Sequence, residues 1–455
     1  MSGLSSGGLT LTDNGGDSLS VGPGETDFAF ATALSSGTAY DVAVATQPSG
    51  ESCTVTNGSG TINDSDVTNV QIACSSSSGN ATASETVLYS FTGGADGGYP
   101  LGGLVMDSAG NVYGTTSSGG AYGNGTVFKL AAPSDTESVL HSFTSSDAPT
   151  GCGSGGITCS GLIIDSAGNL YGTTNEGGTD QDGMVYKVTQ TGTEVVLYSF
   201  TGTATGNDGD SPMGSLIMES AGNLYGTTSS GGTGNLDDGT VFKLTPSGTE
   251  SVLYSFGTNG SADGADPMSG LIVDSAGNFY GTTEGGGGYD YGTVFKLTSS
   301  GAETVLYSFT GGSDGEFPEH RLVMDSTGNF YGTTYSGGND GIGTVFEVMP
   351  SGSERVLHSF SGGADDGVNP SSGLTMDSAG NLYGVTWGGG AYGNGTVFKI
   401  TPSGTETVLY SFGTNGSNDG HFPTGELTVD TAGNLYGTTQ YGGAYGNGTV
   451  FKIQP

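Results

Sequence analysis

Residues Leu104–Phe143 read LVMDSAGNVYGTTSSGGAYGNGTVFKLAAPSDTESVLHSF: four short apolar runs set apart by Gly, Ser, Asn and Asp clusters. The runs are rich in Val, Leu, Phe, Tyr and Thr and carry no helical periodicity, so each reads as a β-strand. They are labelled a (Leu104–Asp107), b (Asn111–Thr116), c (Thr126–Leu130) and d (Glu137–Phe143). Ser-Ala-Gly joins a to b, and in most copies Pro-Ser-Gly or a close variant joins c to d. Both are three-residue hairpin loops with Gly where a positive φ is needed.

Outward from this stretch, the DSAGN piece recurs from Asp107, Asp165, Glu219, Asp274, Asp325, Asp377 and Asp430. The GTVFKL piece follows each, opening at Gly125, Gly183, Gly239, Gly292, Gly343, Gly395 and Gly448. Seven copies spaced 51 to 58 residues apart, each of four antiparallel strands with no crossover helix, predict a seven-bladed β-propeller. The phase of the chain adds closure. A first strand d, Glu85–Phe91, precedes any strand a, and the chain ends just after the last strand c. That N-terminal outer strand is expected to complete the last blade and leave no free edge. One substitution supports the c–d register. Strand c carries Lys in six copies, as at Lys399 opposite Thr407, but Glu347 in the fifth, where the facing residue becomes Arg355.

Residues 1–74 lack the repeat. Their alternating runs (Leu9–Thr12, Phe28–Phe30, Tyr40–Thr46, Cys53–Thr56, Val67–Cys74) suggest a small β-sandwich. The expected organisation is thus a sandwich over 1–74, a polar linker SSSSGNATAS over 75–84, and a propeller over 85–455. Through DNGGD, ATQPSGESCTVTNGSGTI and VTNVQIAC, the first part resembles bacterial immunoglobulin-like surface modules, here without their usual first strand. Through ETVLYSF, DSAGNxYGTT and GTVFKL, all seven copies resemble the GloVer tandem-repeat family of bacterial exported proteins. That resemblance implies export and brings no catalytic residues with it.

Composition bounds the function. Net charge is −37, from 8 Lys and Arg against 45 Asp and Glu. Such a surface repels phosphate backbones and anionic lipid, so no nucleic-acid partner is expected. No run is long and apolar enough for membrane insertion. The four Cys fall into two pairs close in sequence, Cys53 with Cys74 and Cys152 with Cys159. Two disulfides are the simpler reading, and they place the protein outside the cell or on its surface.

In a propeller, the b–c and d–a loops share one face, and here those loops carry the length and variety expected of a ligand site. The d–a loop repeats Asp-Gly-x-x-Pro in six copies. Its Asp reads first as a turn former and second as a Ca²⁺ ligand, best at Asp208 with Asp210 or Asp365 with Asp366. After Tyr-Gly-Thr-Thr (Tyr-Gly-Val-Thr in copy six) the residues are Ser117, Asn175, Ser229, Glu284, Tyr335, Trp387 and Gln440. The inner strand has Gly or Ser in most copies but His320 and Arg321 in the fifth and Glu426 in the seventh. Copies six, seven and one share AYGNG, with Tyr392, Tyr445 and Tyr122, whereas copies two and three have Asp180, Asp182, Asp237 and Asp238. One arc is aromatic and the other acidic.

These patterns lead to a binding or adhesion protein for glycan or extracellular matrix. Its site would combine Trp387, Tyr335 and Gln440 with His320, Arg321, Glu426 and His421, Arg321 anchoring a carboxylate and Trp387 stacking on a sugar. The alternatives are an extracellular glycoside hydrolase or polysaccharide lyase and a structural spacer. Glu319, Glu426 and Glu284 are the candidate carboxylates for the hydrolase, and His320 and Arg321 the candidate base and charge neutraliser for the lyase.

Overall fold

The computed structural model describes the chain except residues 1–3, 5–8, 15, 47–50, 64, 77–82, 145–160, 203–206, 234–236 and 261. It is all-β, with a 3₁₀ turn at Gly416–Asn418, and divides into two compact units, Met1–Asn80 and Ala81–Pro455.

In the first unit, strands Asp17–Val21, Leu9–Asp13, Ala39–Thr46 and Ser59–Thr61 form one antiparallel sheet in that order. Glu51–Thr56 and Gln71–Ser76 form a second, two-stranded sheet. Leu9, Leu11 and Val21 of the first sheet share one apolar cluster with Cys53, Ile72 and Cys74 of the second. Cys53 and Cys74 lie directly opposite each other and are joined by a disulfide. The pair expected between Cys152 and Cys159 lies outside the described residues. The expected linker loses residues at both ends, because strands reach Ser76 from one side and begin at Ser84 on the other.

In the second unit the a–b–c–d order recurs in seven sheets among the described residues. The first contains Val105–Met106, Val112–Ser118, Thr126–Ala131 and Thr136–Ser142. Strand a is shorter than its apolar run, and in this sheet and the sixth a piece of the d–a loop (Gly98–Pro100, Gly367–Pro370) pairs on the end of strand b instead. In the seventh sheet the order is Gly420–Val429, Leu435–Gly442, Thr449–Gln454 and then Ser84–Ser90, so the N-terminal strand takes position d.

Adjacent sheets are joined by a repeated aromatic contact. The Phe that ends each strand d packs edge-on against the strand-c aromatic of the next sheet, as in Phe91–Phe128, Phe200–Phe242, Phe309–Phe346 and Phe412–Phe451, at 5.0–5.1 Å between centroids. Seven apolar clusters follow, each between consecutive sheets. One of them joins Phe91 and Val450 of the seventh sheet to Leu104, Val112 and Phe128 of the first. Truncating one such Phe costs about 3–5 kcal/mol.

The sequence motifs serve this packing. Gly114 of YGTT lies under the strand-c ring, and a Cβ there would sit 2.6 Å from Phe128 Cζ. The second Thr of the motif pairs with the Thr opening strand c, as Thr116 with Thr126 at 2.9 Å. The first Thr reaches the next sheet: Thr227 donates to the Ser269 carbonyl, Thr282 to His320, Thr333 to Ser372 and Thr438 to Gly102. The Asp of DSAGN accepts from two backbone N–H groups, the Asn side chain and the Tyr hydroxyl, as at Asp107. Strand-c Lys lies over the strand-b Tyr, 5.4–5.7 Å from its centroid in six copies. In the fifth copy Glu347 instead accepts from Tyr331 and from Arg355, whose Nε and Nη2 lie 2.9 and 2.6 Å from Oε2.

Candidate functional site

The d–a loop is a repeated frame that displays one variable residue. Its Asp is held by the strand-d Tyr hydroxyl, as in Tyr198 to Asp208 at 2.6 Å and Tyr410 to Asp419 at 2.8 Å; in the fifth copy His358 takes that place beside Asp366. Asp208 also accepts from the Thr201 backbone and hydroxyl, and Asp366 from Ser361 and the Gly367 N–H. Asp210 accepts from the Ser211 hydroxyl, and Asp365 is exposed. The carboxylates of Asp208 and Asp366 therefore brace their own turns, the Asx-type role. Among the described residues no group of three or more His, Cys, Asp or Glu side chains is gathered as a metal ion needs.

The residue before the Pro takes a positive φ in all six loops: Tyr99 (54°), Ser211 (56°), Asp266 (55°), Phe317 (58°), Asn369 (53°) and Phe422 (57°). This conformation costs a non-Gly residue about 1–2 kcal/mol and persists only where the surroundings hold it. Here they do. Its N–H donates to the carbonyl just ahead of strand c in the preceding sheet, as in Tyr99 to Asn447 at 2.8 Å and Phe422 to Asn394 at 2.8 Å. In three copies its own carbonyl accepts from the residue after YGTT, namely Ser229, Glu284 and Tyr335. The frame thus brings the pre-Pro residue beside the variable position after YGTT.

Across the sixth, seventh and first sheets Trp387, the pre-Pro residues Phe422 and Tyr99, and Tyr441 next to Gln440 form a continuous aromatic row. Trp387 stacks on Phe422 at 4.2 Å and 13°, Phe422 meets the ring of Tyr441 edge-on at 6.1 Å, and Tyr441 meets Tyr99 at 5.3 Å. His421 contacts Phe422 at 6.3 Å. The b–c loops beyond carry Tyr392, Tyr445 and Tyr122, exposed by 56, 63 and 65%. The opposite arc is acidic. Burial, with repulsion from Asp210, Asp180 and Asp208, raises the carboxyl pKa of Asp182; burial, with repulsion from Asp263, Asp237 and Asp290, raises that of Asp238. Burial beside Asp266 does the same to Glu284.

The expected site residues fall into two places. Trp387 belongs to the row, with His421 against it. Gln440 is buried in its strand, 8% exposed, and Tyr335 is partly buried beside Phe317. His320, Arg321 and Glu426 instead line a central cavity of about 570 Å³ bounded by the inner strands of all seven sheets. There the expectation of His320 as a base is corrected. His320 is 5% exposed, its Nδ1 lies 3.3 Å from Thr333 Oγ1, and burial pushes its pKa down to about 4, so it is a neutral core residue rather than a solvent-facing base. Arg321 has an ion-pair partner, Glu426, at 3.3 Å. Phe422, Tyr441 and Tyr99 were missed as site residues. Only variety before the Pro marked two of them, and nothing in the sequence announces a positive φ at a Phe or Tyr.

A family model described as the Gloeobacter/Verrucomicrobia repeat matches residues 22–236, 150–327 and 315–455, and the chain belongs to this repeat family. No curated protein matches it. Among solved structures it is similar to the extracellular domain of a protein described as a hybrid two-component system from B. thetaiotaomicron (13% identity, TM-score 0.50). That match covers 81% of this chain and 39% of that one, so the chain spans about two fifths of its length. It is also similar to an oligogalacturonate lyase from Vibrio parahaemolyticus (10% identity, TM-score 0.50), covering 82% of this chain and 94% of that one. At such identities the likeness concerns the fold.

Proposed function

We propose that this is a secreted or cell-surface binding protein. In this reading residues 85–455 form a seven-bladed β-propeller closed by its N-terminal outer strand, preceded by a small immunoglobulin-like β-sandwich over 1–74. The loop-bearing mouth binds a glycan or another extracellular polymer. The observation that carries the binding role is the row Trp387–Phe422–Tyr441–Tyr99, two of whose members are held at a positive φ. The repeat frame holds these rings in place, and their partly exposed faces offer a stacking surface. Sugars offer apolar C–H faces to rings and hydroxyl edges to neighbouring polar groups. An outside location is supported by the Cys53–Cys74 disulfide and by membership of a repeat family whose resemblance implied export.

The test is a glycan array followed by titration of the best polysaccharide against the parent and a Trp387→Ala/Tyr441→Ala variant. Each ring contributes about 1 kcal/mol beyond its buried area, so the pair is expected to weaken binding by about 30-fold or more. Unchanged binding in a folded double variant would remove the row from the site. Cleavage products on the same panel would favour the enzyme alternative.

A further inference from the structure

The chain has two Arg, and the structure treats them differently. Arg355 presents Nε and Nη2 to one carboxylate oxygen of Glu347 at 2.9 and 2.6 Å, a satisfied fork. Arg321 lies in the central cavity and touches Glu426 through Nη1 alone, at 3.3 and 3.4 Å from the two oxygens. Charge-assisted N–H···O⁻ bonds normally close to about 2.7–2.9 Å, so this contact is a loose one. Arg321 Nε is buried with no acceptor among the described residues. An N–H left buried without a partner costs about 1–3 kcal/mol.

The cavity around it is two-sided. Met213, Met218, Met268 and Val105 line it from the first, third and fourth sheets, and Glu319, Arg321 and Glu426 from the fifth and seventh. Arg321 is its one Lys or Arg among the described residues, and its side chain is 40% exposed. A volume of about 570 Å³ is in the usual range for small-molecule sites. Nothing in the repeat requires a guanidinium here, since most copies have Gly or Ser at this position.

We infer that the central cavity is a binding site for a carboxylate-bearing small molecule or chain end, whose carboxylate pairs with the exposed part of the Arg321 guanidinium while its body lies on the methionine-lined wall. A planar anion matches the guanidinium fork in shape and charge. The site is separate from the aromatic row and does not depend on a polymer binding there. The other titratable groups facing Arg321 are Glu319, His320 and Glu426. Burial, then repulsion from Glu284, pushes the Glu319 carboxyl up to about 8. Burial keeps His320 neutral, and it also pushes Glu426 up against the opposing pull of Arg321. Glu319 therefore takes up a proton near neutral pH, which removes one anion from the wall that carries Arg321. Affinity is expected to rise as pH falls from about 8.5 to about 6.5.

The experiment is calorimetric titration of the full chain with hexanoate and with glucuronate, each beside its neutral counterpart, hexanol and glucose. The two acids distinguish an acyl-type ligand from a sugar-acid ligand. At least one acid is expected to bind with millimolar affinity or better, its neutral counterpart not at all. Arg321→Gln should weaken the acid by about tenfold or more, and Arg321→Lys, which keeps the charge but loses the fork, should be intermediate. Melting curves verify that both variants are folded, and if Arg321→Gln fails that check, Arg321→Lys alone decides. Absence of binding by either acid, equal binding of the neutral counterpart, or undiminished binding in the folded variants would each overturn the inference.

Discussion

Replacing Glu406 by Gln should stabilise the protein at about pH 8 and leave it unchanged at about pH 5. Glu406 opens the sixth strand d at the rim, where burial, then the charges of Asp366 and Asp365, push its carboxyl from an ordinary 4.5 up to about 8. Its Oε1 is buried without a hydrogen-bond partner among the described residues. The folded state therefore holds this proton and the unfolded chain releases it. The sign follows: the contribution is fully present below about pH 4.5 and is lost as pH rises toward about 8. Each tenfold change in proton affinity corresponds to about 1.4 kcal/mol, which makes the ceiling about 5 kcal/mol. Partial exposure and solvent screening reduce this to about 1–3 kcal/mol. Gln is a neutral isostere, so it matches the protonated acid at pH 5 and removes the buried charge at pH 8. Urea melts of parent and variant at the two pH values measure the difference. A variant less stable than the parent at pH 8, or an equal shift at both, would refute the reasoning. The same rim position is pushed up to about 7 at Glu85, Glu137, Glu250, Glu303 and Glu354. The parent should accordingly lose stability between about pH 5 and 7.5, opposed only in part by His320, whose depressed pKa contributes in the other direction.

Two further outcomes are expected. Arg355→Thr leaves Glu347, 4% exposed, without its cation and should cost about 2–3 kcal/mol in a denaturant melt; adding Glu347→Lys restores the Lys-over-Tyr pair of the other copies and should recover most of it, and a lack of recovery would contradict the compensation. Reducing Cys53–Cys74, a crosslink of sequence separation 21, should destabilise the first unit by about 3 kcal/mol while leaving the melt of residues 81–455 unchanged.

Much of the strand order was legible because repetition turns one sequence into seven readings of the same unit. A short apolar run is ambiguous once, yet the Tyr-Gly of strand b and the Val-aromatic pair of strand c recur in step in all seven copies, and that made the strands readable. The Glu347–Arg355 exchange was legible because cross-strand neighbours differ by a few positions. Contacts between sheets were harder to see. Arg321 and Glu426 are 105 residues apart, and Trp387 meets Phe422 only because the frame at Phe422 is tethered to the preceding sheet. Both lie within sequence classes that vary from copy to copy, so no periodicity flagged them. His320 was misplaced for a related reason: its ring is buried beside Thr333 of the following strand, a contact that no repeat position marks.

The most direct test of the account is ring closure. Strand Ser84–Ser90 pairs along Thr449–Gln454 and leads into Phe91, which is fully buried against Phe128 of the first sheet. Two truncated proteins, one lacking residues 1–80 and one lacking residues 1–91, are compared by calorimetry and light scattering. Removing residues 1–80 should leave a monomer with one cooperative melt. Removing residues 1–91 strips an outer strand and a buried Phe, exposing a free edge, and should bring aggregation or loss of the cooperative transition. A well-behaved monomer without residues 1–91, melting like its longer counterpart, would contradict closure of the seventh sheet by the N-terminal strand.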